Sequence, residues 1–249
     1  MNWIKKTTLI GAIVLISGAF IYATSTETKN KITREGTSQF FPTAIDFAGE
    51  PAPLQMNDVR ERLDRELLIN ANLDATTLLI IKRANRVFPI IEPILQLYNV
   101  PDDFKYLAVI ESGLVNAVSP AGARGVWQFM PLTAKEKGME VNDMVDERYH
   151  LEKSTEAACK YLLEAKAKFG SWTLAAASYN GGMTGVNKQI EMQQVSTYYD
   201  LLLNDETSRY VFRILALKEI MKNPDKFGFT VNLEEMYVNL PSKVITVDT

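Results

Sequence analysis

Between residues 55 and 222, apolar side chains recur at helical spacing in one short segment after another. This periodicity limits the fold more than any other feature of the chain. The clearest segment covers residues 154–169 and is followed by Gly170, a residue type that commonly ends helices. Its apolar stripe consists of Ala157, Ala158, Tyr161, Leu162, Ala165 and Phe169. The segments are joined by turns containing Gly, Pro or Asn, and the region is therefore predicted to be all-α.

Other segments with the same periodicity predict the remaining helices. They cover residues 59–70, 75–88, 132–137, 172–179 and 205–222. Ser171 is expected to cap the helix at 172, and Asn204 or Asp205 to cap the last one, because these side chains accept hydrogen bonds from free N–H groups. Pro89 and Pro93 are expected to break or kink the chain after residue 88, since proline lacks the helical N–H donor.

One further predicted helix has a carboxyl group at the end of its apolar face. It begins after Pro101, with Asp102 or Asp103 as its N-cap, and ends before Gly113. Its apolar face ends with Glu111 and contains Phe104, Leu107 and Ala108. The carboxyl group either bends out to water at the helix end or lies where water is scarce. In the second case its pKa rises, and the group can hold a proton near neutral pH and donate it.

The composition excludes several classes of site. The chain has 249 residues, a net charge of −3, one histidine (His150) and one cysteine (Cys159). There is no basic excess to neutralise the phosphates of a nucleic acid. An intramolecular disulfide, a His-rich zinc site and a Cys-cluster site are all excluded, so no metal ion or cofactor is expected. If the protein is an enzyme, carboxylate chemistry is the main option that remains.

The first residues resemble an export signal. Lys5 and Lys6 precede an uncharged apolar run at residues 7–23. Residues 1–24 are therefore predicted to be either a cleaved signal peptide or an uncleaved membrane anchor, and the protein is expected in the cell envelope. Residues 25–53 are polar and are predicted to be a flexible linker. Residues 54–222 form the helical domain, and residues 223–249 a short extended tail with a strand near its end.

Four short motifs follow one another along the helical region. They are the pair Glu111-Ser112, the stretch GVWQFM at residues 125–130, the stretch AASYNGG at residues 176–182, and Glu206-Thr207 followed by Tyr210-Val211. In order and spacing they resemble the lytic transglycosylases of the soluble-lytic-transglycosylase type, glycoside hydrolase family 23. The nearest branch is that of the membrane-bound murein transglycosylases D, which favour a Trp before the Gln. The resemblance covers about residues 80–222.

The resemblance implies a goose-type lysozyme-like fold, all-α, with a groove for the glycan strands of peptidoglycan. It implies cleavage of the β-1,4 bond between N-acetylmuramic acid and N-acetylglucosamine, with a 1,6-anhydromuramyl product. In this family the Glu of the Glu-Ser pair is catalytic, which corresponds to Glu111. The other positions that the resemblance assigns to substrate are Ser112, Ser119, Gln128, Met130, Tyr179, Asn180 and Tyr210.

Several roles remain open at this stage. Ser112 could instead bond within the helix end, Tyr210 could be a core residue with a satisfied hydroxyl group, and Trp127 could stack on a sugar or lie in the core. The loop after Ser112 also lacks the proline that the family usually has there, which puts the substrate contact of Ser119 in doubt.

Two other functions are compatible with the pattern. A hydrolytic muramidase would need a second carboxylate to activate water, for which Asp143, Asp146 and Glu147 are candidates. The same loop contains Arg148, and the charges are interpreted first as ion pairs that fix the loop. A non-catalytic module that binds peptidoglycan or acts as an envelope scaffold would have no need of a carboxyl group at the end of an apolar face.

Overall fold

The computed structural model describes residues 40–239. The predicted export segment, the linker before residue 40 and the predicted strand near the C-terminus lie outside the described residues. Helices dominate this part of the chain, and the all-α prediction is confirmed. The α-helices are α1 (Asn57–Asn72), α2 (Asp74–Leu97), α3 (Lys105–Ser112), α4 (Pro131–Glu136), α5 (Leu151–Phe169), α6 (Trp172–Gly181), α7 (Met183–Gln193) and α8 (Asp205–Lys222).

Two short antiparallel hairpins accompany the helices. Strand β1 (Asp46–Phe47) pairs with β2 (Glu50–Pro51), and β3 (Ala117–Val118) pairs with β4 (Arg124–Gly125). Single turns of 3₁₀-helix occupy Asp102–Phe104, Glu147–Tyr149, Tyr198–Asp200, Pro224–Phe227 and Leu233–Glu235. Among residues 40–239, no helix is both long enough and apolar enough to cross a membrane.

Helix α8 lies at the centre of the fold and packs against α1, α3 and α6. Val211, Phe212 and residues 214–216 are all fully buried, so α8 is covered by neighbours on more than one face. The side chains on α3, α6 and α8 are therefore brought together by one shared core. These three helices carry most of the predicted site residues.

Of the two effects expected of the prolines, a break or a kink, the break after residue 88 is wrong. Pro89 and Pro93 both lie inside α2, which is continuous over 24 residues. Proline in a helix interior costs about 3 kcal/mol because a hydrogen bond is lost and its ring meets the preceding turn. Ile91 and Leu95 are almost completely buried on the core side of α2, and this burial offsets the cost.

The prediction that an aspartate caps α3 is also wrong. Asp102 and Asp103 form a 3₁₀ turn that leads into α3, and no side-chain hydrogen bond caps the helix. Asp102 accepts a hydrogen bond from Lys105, 2.6 Å away. Asp103 accepts from the Ala48 backbone N–H at 2.7 Å and from Lys218 at 2.5 Å. Its carboxylate therefore joins the N-terminal hairpin to α8.

The folded part of the chain begins earlier than residue 54, where the predicted linker ends. Phe47 is fully buried, and Ile45 and Ala52 are nearly so. Glu50 accepts hydrogen bonds at the start of α6, from the backbone N–H groups of Trp172 (2.6 Å) and Thr173 (2.8 Å). These contacts hold the hairpin against the helices, which a polar composition alone did not predict.

Other predicted helix ends agree with the structure. The Ser171 side chain accepts from the Leu174 N–H at the start of α6, and Gly170 ends α5 in the left-handed conformation. Asn204 rather than Asp205 caps α8. Helix α7 was not predicted. In the tail, residues 229–233 form no strand, and Tyr237 donates its N–H to the Lys82 carbonyl of α2.

Candidate active site

The carboxyl group of Glu111 lies at the end of α3, against α8. The hydroxyl group of Tyr210 donates a hydrogen bond to its Oε1 atom. Burial raises the pKa of Glu111 to about 7. The hydrogen bond from Tyr210 and the positive charge of Arg213 oppose this rise, while the negative charge of Glu206 adds to it. Of the two positions that the sequence left open, the carboxyl group therefore takes the one where water is scarce.

A carboxyl group with this pKa is divided between its acidic and basic forms near neutral pH. It can therefore donate a proton in one step and accept one in the next. The raised pKa of Glu111 follows from the packing of α3, because the residues before Glu111 on this helix are buried. Leu107 and Ala108 are fully buried and Ile110 is 9% exposed, so little water reaches this end of the helix.

Tyr210 is 2% exposed and lies on the face of α8 that meets α3. Burial raises the pKa of its hydroxyl group well above the ordinary value, and the neighbouring Glu111 carboxylate raises it further. The hydroxyl group therefore stays protonated and serves as a donor. Tyr210 is therefore a core residue with a satisfied hydroxyl group, and the partner of that hydroxyl group is Glu111 itself.

Tyr179 approaches the same carboxyl group from α6. Burial raises the pKa of its hydroxyl group well above the ordinary value, with a further contribution from the charge of Glu111. The hydroxyl group donates to the Trp127 carbonyl at 2.8 Å. The ring of Tyr179 packs edge-on against Tyr161 and Phe129, with centroids 5.2 and 5.8 Å away. Tyr179 is thus fixed in place and keeps its hydroxyl oxygen as an acceptor.

Asn180 follows Tyr179 and is held by α8. Its Nδ2 atom donates to Glu206 Oε1 at 2.9 Å, and its Oδ1 atom accepts from the Thr207 hydroxyl group at 2.7 Å. Gly181 allows this close approach, since a Cβ atom there would lie only 3.0 Å from the methyl group of Thr207. Both ends of the Asn180 carboxamide are therefore engaged by neighbouring residues of α8.

The turn at residues 125–130 is tied to the end of α3. The Ser112 hydroxyl group can donate to the Val126 carbonyl at 2.8 Å or to the Ala108 carbonyl of its own helix at 3.3 Å, and the second contact is the expected helix-end bond. Gly125 has a φ angle of +83°, and a Cβ atom there would lie 1.9 Å from the Arg148 carbonyl oxygen. Only glycine allows the chain to pass this point without a backbone shift.

Gln128 and Trp127 take opposite positions in this turn. Gln128 has a φ angle of 51°, and its Nε2 atom donates to the carbonyls of Ala117 (3.0 Å) and Gly125 (2.7 Å). Trp127 is completely buried and donates to the Thr155 hydroxyl group at 2.8 Å. Its indole ring is therefore a core group, and the alternative in which it stacks on a sugar is wrong.

Ser119 lies in the turn between β3 and β4, and Met130 lies just before α4. The Ser119 side chain accepts from the Ala123 N–H at 3.0 Å and closes the turn between β3 and β4. Met130 is 43% exposed at the start of α4. Within residues 40–239, no hydrogen bond joins Ser119 to Glu111. The loop serine is thus a turn residue in this structure.

The acidic loop forms internal ion pairs, as interpreted from the sequence. Asp146 accepts from Arg148 at 2.7 Å and from Arg124 at 3.1 Å. Glu147 is paired with Lys153. These two carboxylates are engaged in ion pairs that fix the loop, so neither is free to act as a base that activates water.

Two charged residues near Glu111 were missed as site residues. Glu206 precedes Tyr210 by four positions and Arg213 follows it by three, so all three lie on one face of α8. The helical spacing around Tyr210 could have identified both. Glu206 was named in the fourth motif, but no role in the site was predicted for it.

Comparisons with known proteins agree with this geometry. Residues 88–201 match the family model of the transglycosylase SLT domain. Over 136 residues, 52% of this chain, the sequence is 33% identical to the membrane-bound lytic murein transglycosylase D of Escherichia coli strain K12. The protein of the same name from E. coli O6:H1 strain CFT073 matches equally well. The alignment covers 30% of the length of each of these relatives.

Proposed function

We propose that this chain, which carries a transglycosylase SLT domain over residues 88–201, is a peptidoglycan lytic transglycosylase. Its substrate would be the β-1,4 bond between N-acetylmuramic acid and N-acetylglucosamine, and its product a 1,6-anhydromuramyl end. The observation that carries the proposal is the partly buried Glu111 side chain, bonded to Tyr210 and with a pKa raised to about 7.

In the first step, Glu111 acts as the general acid. Its proton passes to the glycosidic oxygen as the bond from that oxygen to the anomeric carbon of the muramyl residue breaks. The N-acetyl group of the muramyl residue assists at the anomeric carbon. The raised pKa of Glu111 keeps a large protonated fraction available near pH 7, which this step requires.

In the second step, the same group acts as the general base. The 6-hydroxyl group of the muramyl residue attacks the anomeric carbon, and its proton returns to Glu111. A new bond from the anomeric carbon to O6 replaces the broken one, and no water is consumed. The hydrogen bond from Tyr210 stabilises the carboxylate between the two steps. One carboxylate therefore suffices where most glycosidases use two.

The other predicted substrate residues have defined donor and acceptor groups. Both N–H bonds of the Gln128 amide are used within the fold, so Gln128 offers its carbonyl oxygen to a sugar. Tyr179 and Ser112 donate internally and likewise remain as acceptors. Asn180 keeps one N–H, which suits an acetamido carbonyl. The exposed thioether of Met130 offers an apolar contact.

A hydrolytic muramidase on the same site is the second candidate. It is favoured by Glu206, a carboxylate whose charge acts on Glu111. In a hydrolase, Glu206 would activate a water molecule, whereas in a transglycosylase no base other than Glu111 is needed. Ser119, Asp143, Asp146 and Glu147 are not required in either scheme.

The sequence pattern is the basis for the proposed domain arrangement and for the proposed cellular location of the protein. Residues 1–24 would direct export or anchor the chain, residues 25 to about 39 would act as a linker, and the helical domain would act in the cell envelope. The names of the matched E. coli relatives include the term membrane-bound, which supports an envelope location. Peptidoglycan glycan strands would be the partner.

The test is mass spectrometry of the fragments that the purified full chain releases from peptidoglycan. Anhydro ends, lighter by one water than reducing ends, are expected with the wild type and absent with Glu111→Gln. Reducing ends would establish the hydrolase. Binding of the folded wild type to peptidoglycan without release of fragments would refute both enzymes and favour the binding module.

A further inference from the structure

Asn180 can orient its side-chain amide in two ways, and the two ends of the amide have opposite hydrogen-bonding character. Nδ2 has two donor hydrogens, and Oδ1 has two acceptor lone pairs. The group that Asn180 presents to a ligand therefore depends on which way the amide is turned. The neighbours of Asn180 in the structure are Glu206 and Thr207, both in the first turn of α8.

Glu206 and Thr207 differ in whether they can fix the orientation of the Asn180 amide. The Thr207 hydroxyl group can donate or accept, so it fits either orientation of the amide. The ionised Glu206 carboxylate can only accept, so it fits only an amide whose Nδ2 atom faces it. The observed distance of 2.9 Å from Nδ2 to Glu206 Oε1 is that of an ordinary hydrogen bond.

The first turn of α8, which carries Glu206 and Thr207, is held in place by its neighbours. The Asn204 side chain caps α8 by accepting from the Thr207 N–H at 2.9 Å, which fixes the first turn of the helix. Thr207 is 1% exposed and packs against Gly181. Glu206 is an exposed residue, so no packing requirement explains a carboxylate at this position.

We propose that Glu206 is a positioning residue, whose acceptor-only carboxylate fixes the Asn180 amide so that an N–H donor faces the substrate. This inference rests on the proposed function, because the ligand group would be the acetamido carbonyl of a peptidoglycan sugar. One Nδ2 hydrogen is held by Glu206, and the other remains for that carbonyl oxygen. Glu206 itself transfers no proton, which separates this role from that of a second catalytic carboxylate.

The test is a series of substitutions at position 206, assayed as release of anhydro ends from soluble glycan strands by the full chain. Glu206→Gln offers an amide that can accept or donate, so both orientations of the Asn180 amide become possible, and kcat/KM is expected to fall by no more than about threefold. Glu206→Ala removes the acceptor and is expected to lower kcat/KM about tenfold, as for one lost or misdirected hydrogen bond. Glu206→Lys presents only donors, favours the inverted amide and is expected to lose at least as much.

Asp205→Lys is the matched control for charge. Asp205 is the adjacent residue, its side chain is 79% exposed, and it pairs with Arg209 rather than with Asn180. Asp205→Lys makes the same change in charge without touching Asn180, and its kcat/KM is expected to stay within about twofold of the wild-type value. Equal losses in Asp205→Lys and Glu206→Lys would overturn the proposal in favour of a general electrostatic effect.

The double variant separates positioning from direct action. In an Asn180→Ala background there is no amide to orient, so Glu206→Ala is expected to cause no further loss in kcat/KM. A full additional loss would overturn the proposal, since Glu206 would then act without Asn180. Thermal unfolding checks that each variant is folded.

The outcomes also separate this inference from the proposed function. If Glu206→Gln abolishes turnover while the wild type releases reducing ends, the protein is a hydrolase with Glu206 as its second carboxylate. If the wild type releases anhydro ends and the position 206 variants match it, the proposed function stands and the positioning role is refuted.

Discussion

The desolvated carboxyl group of Glu111 makes the free energy of unfolding depend on pH, and Glu111→Gln should remove that contribution. The folded-state pKa is about 7, against the ordinary value of 4.5 expected in the unfolded chain. The stabilising contribution is fully present below pH 4.5 and is lost as the pH rises through 7, because the folded state must then hold a buried negative charge. Glutamine stays neutral throughout.

The size of the effect follows from the difference between the two pKa values. At about 1.4 kcal/mol per unit, a difference of about 2.5 pKa units corresponds to about 3–4 kcal/mol. Glu111→Gln should therefore gain up to about 3–4 kcal/mol over the wild type between pH 4.5 and pH 8, in a protein whose total stability is of the order of 10 kcal/mol. The variant loses activity and gains stability at alkaline pH.

The assay is urea unfolding of both proteins at a series of pH values. Effects of other titrating groups cancel in the difference between the two curves. Glu61→Gln, a change of the same kind on the exposed face of α1, is the control and should stay within about 0.5 kcal/mol at every pH. A difference between Glu111→Gln and the wild type that does not change with pH would refute the burial argument.

Three further predictions concern residues around the site. Tyr210→Phe removes the hydrogen bond that stabilises the Glu111 carboxylate, so the alkaline limb of the kcat/KM profile should move up by about one pH unit; an unchanged limb would contradict that contact. Glu50→Gln should cost about 2 kcal/mol at pH 7, because the pKa of Glu50 is lowered to about 2 by its hydrogen bonds at the start of α6. This contribution is present above pH 4.5 and is lost as the pH falls through 2, so the variant and the wild type should converge in acid unfolding. Gly125→Ala should cost more than about 3 kcal/mol, because its Cβ atom would meet the Arg148 carbonyl at 1.9 Å. Gly122→Ala, at a φ angle of +90° with nothing within 4 Å, should cost only about 1 kcal/mol in the same chemical unfolding assay.

Local rules account for most of the helices that the sequence predicted. Ser171 and Asn204 cap helices because their side chains reach the next free N–H groups, and Gly113 and Gly170 end helices because they accept a positive φ angle. Each of these decisions depends on neighbours within one turn. The prolines of α2 are the exception, since distant packing outweighs their local preference.

Only part of the site could be predicted, because the burial of its side chains depends on contacts between distant segments. The place of Glu111 at the end of an apolar face was visible in the spacing, but the spacing left open whether water reached the carboxyl group. Trp127 and Gln128 are adjacent in the sequence, yet one is completely buried and the other is only partly so. Gln128 adopts the left-handed conformation, and its amide is held by the carbonyls of Ala117 and Gly125. These contacts form only when the turn is folded, so the sequence pattern does not reveal them.

The sequence by itself determined the helical class, the main helix ends and the identity of the acidic residue, because these follow from periodicity and from side-chain chemistry along the chain. The tertiary structure decided the pKa of that residue. Desolvation, the hydroxyl group of Tyr210 and the charges of Arg213 and Glu206 all reach Glu111 across helices that are far apart in sequence. Only the packing of α3 against α8 places these groups at one point.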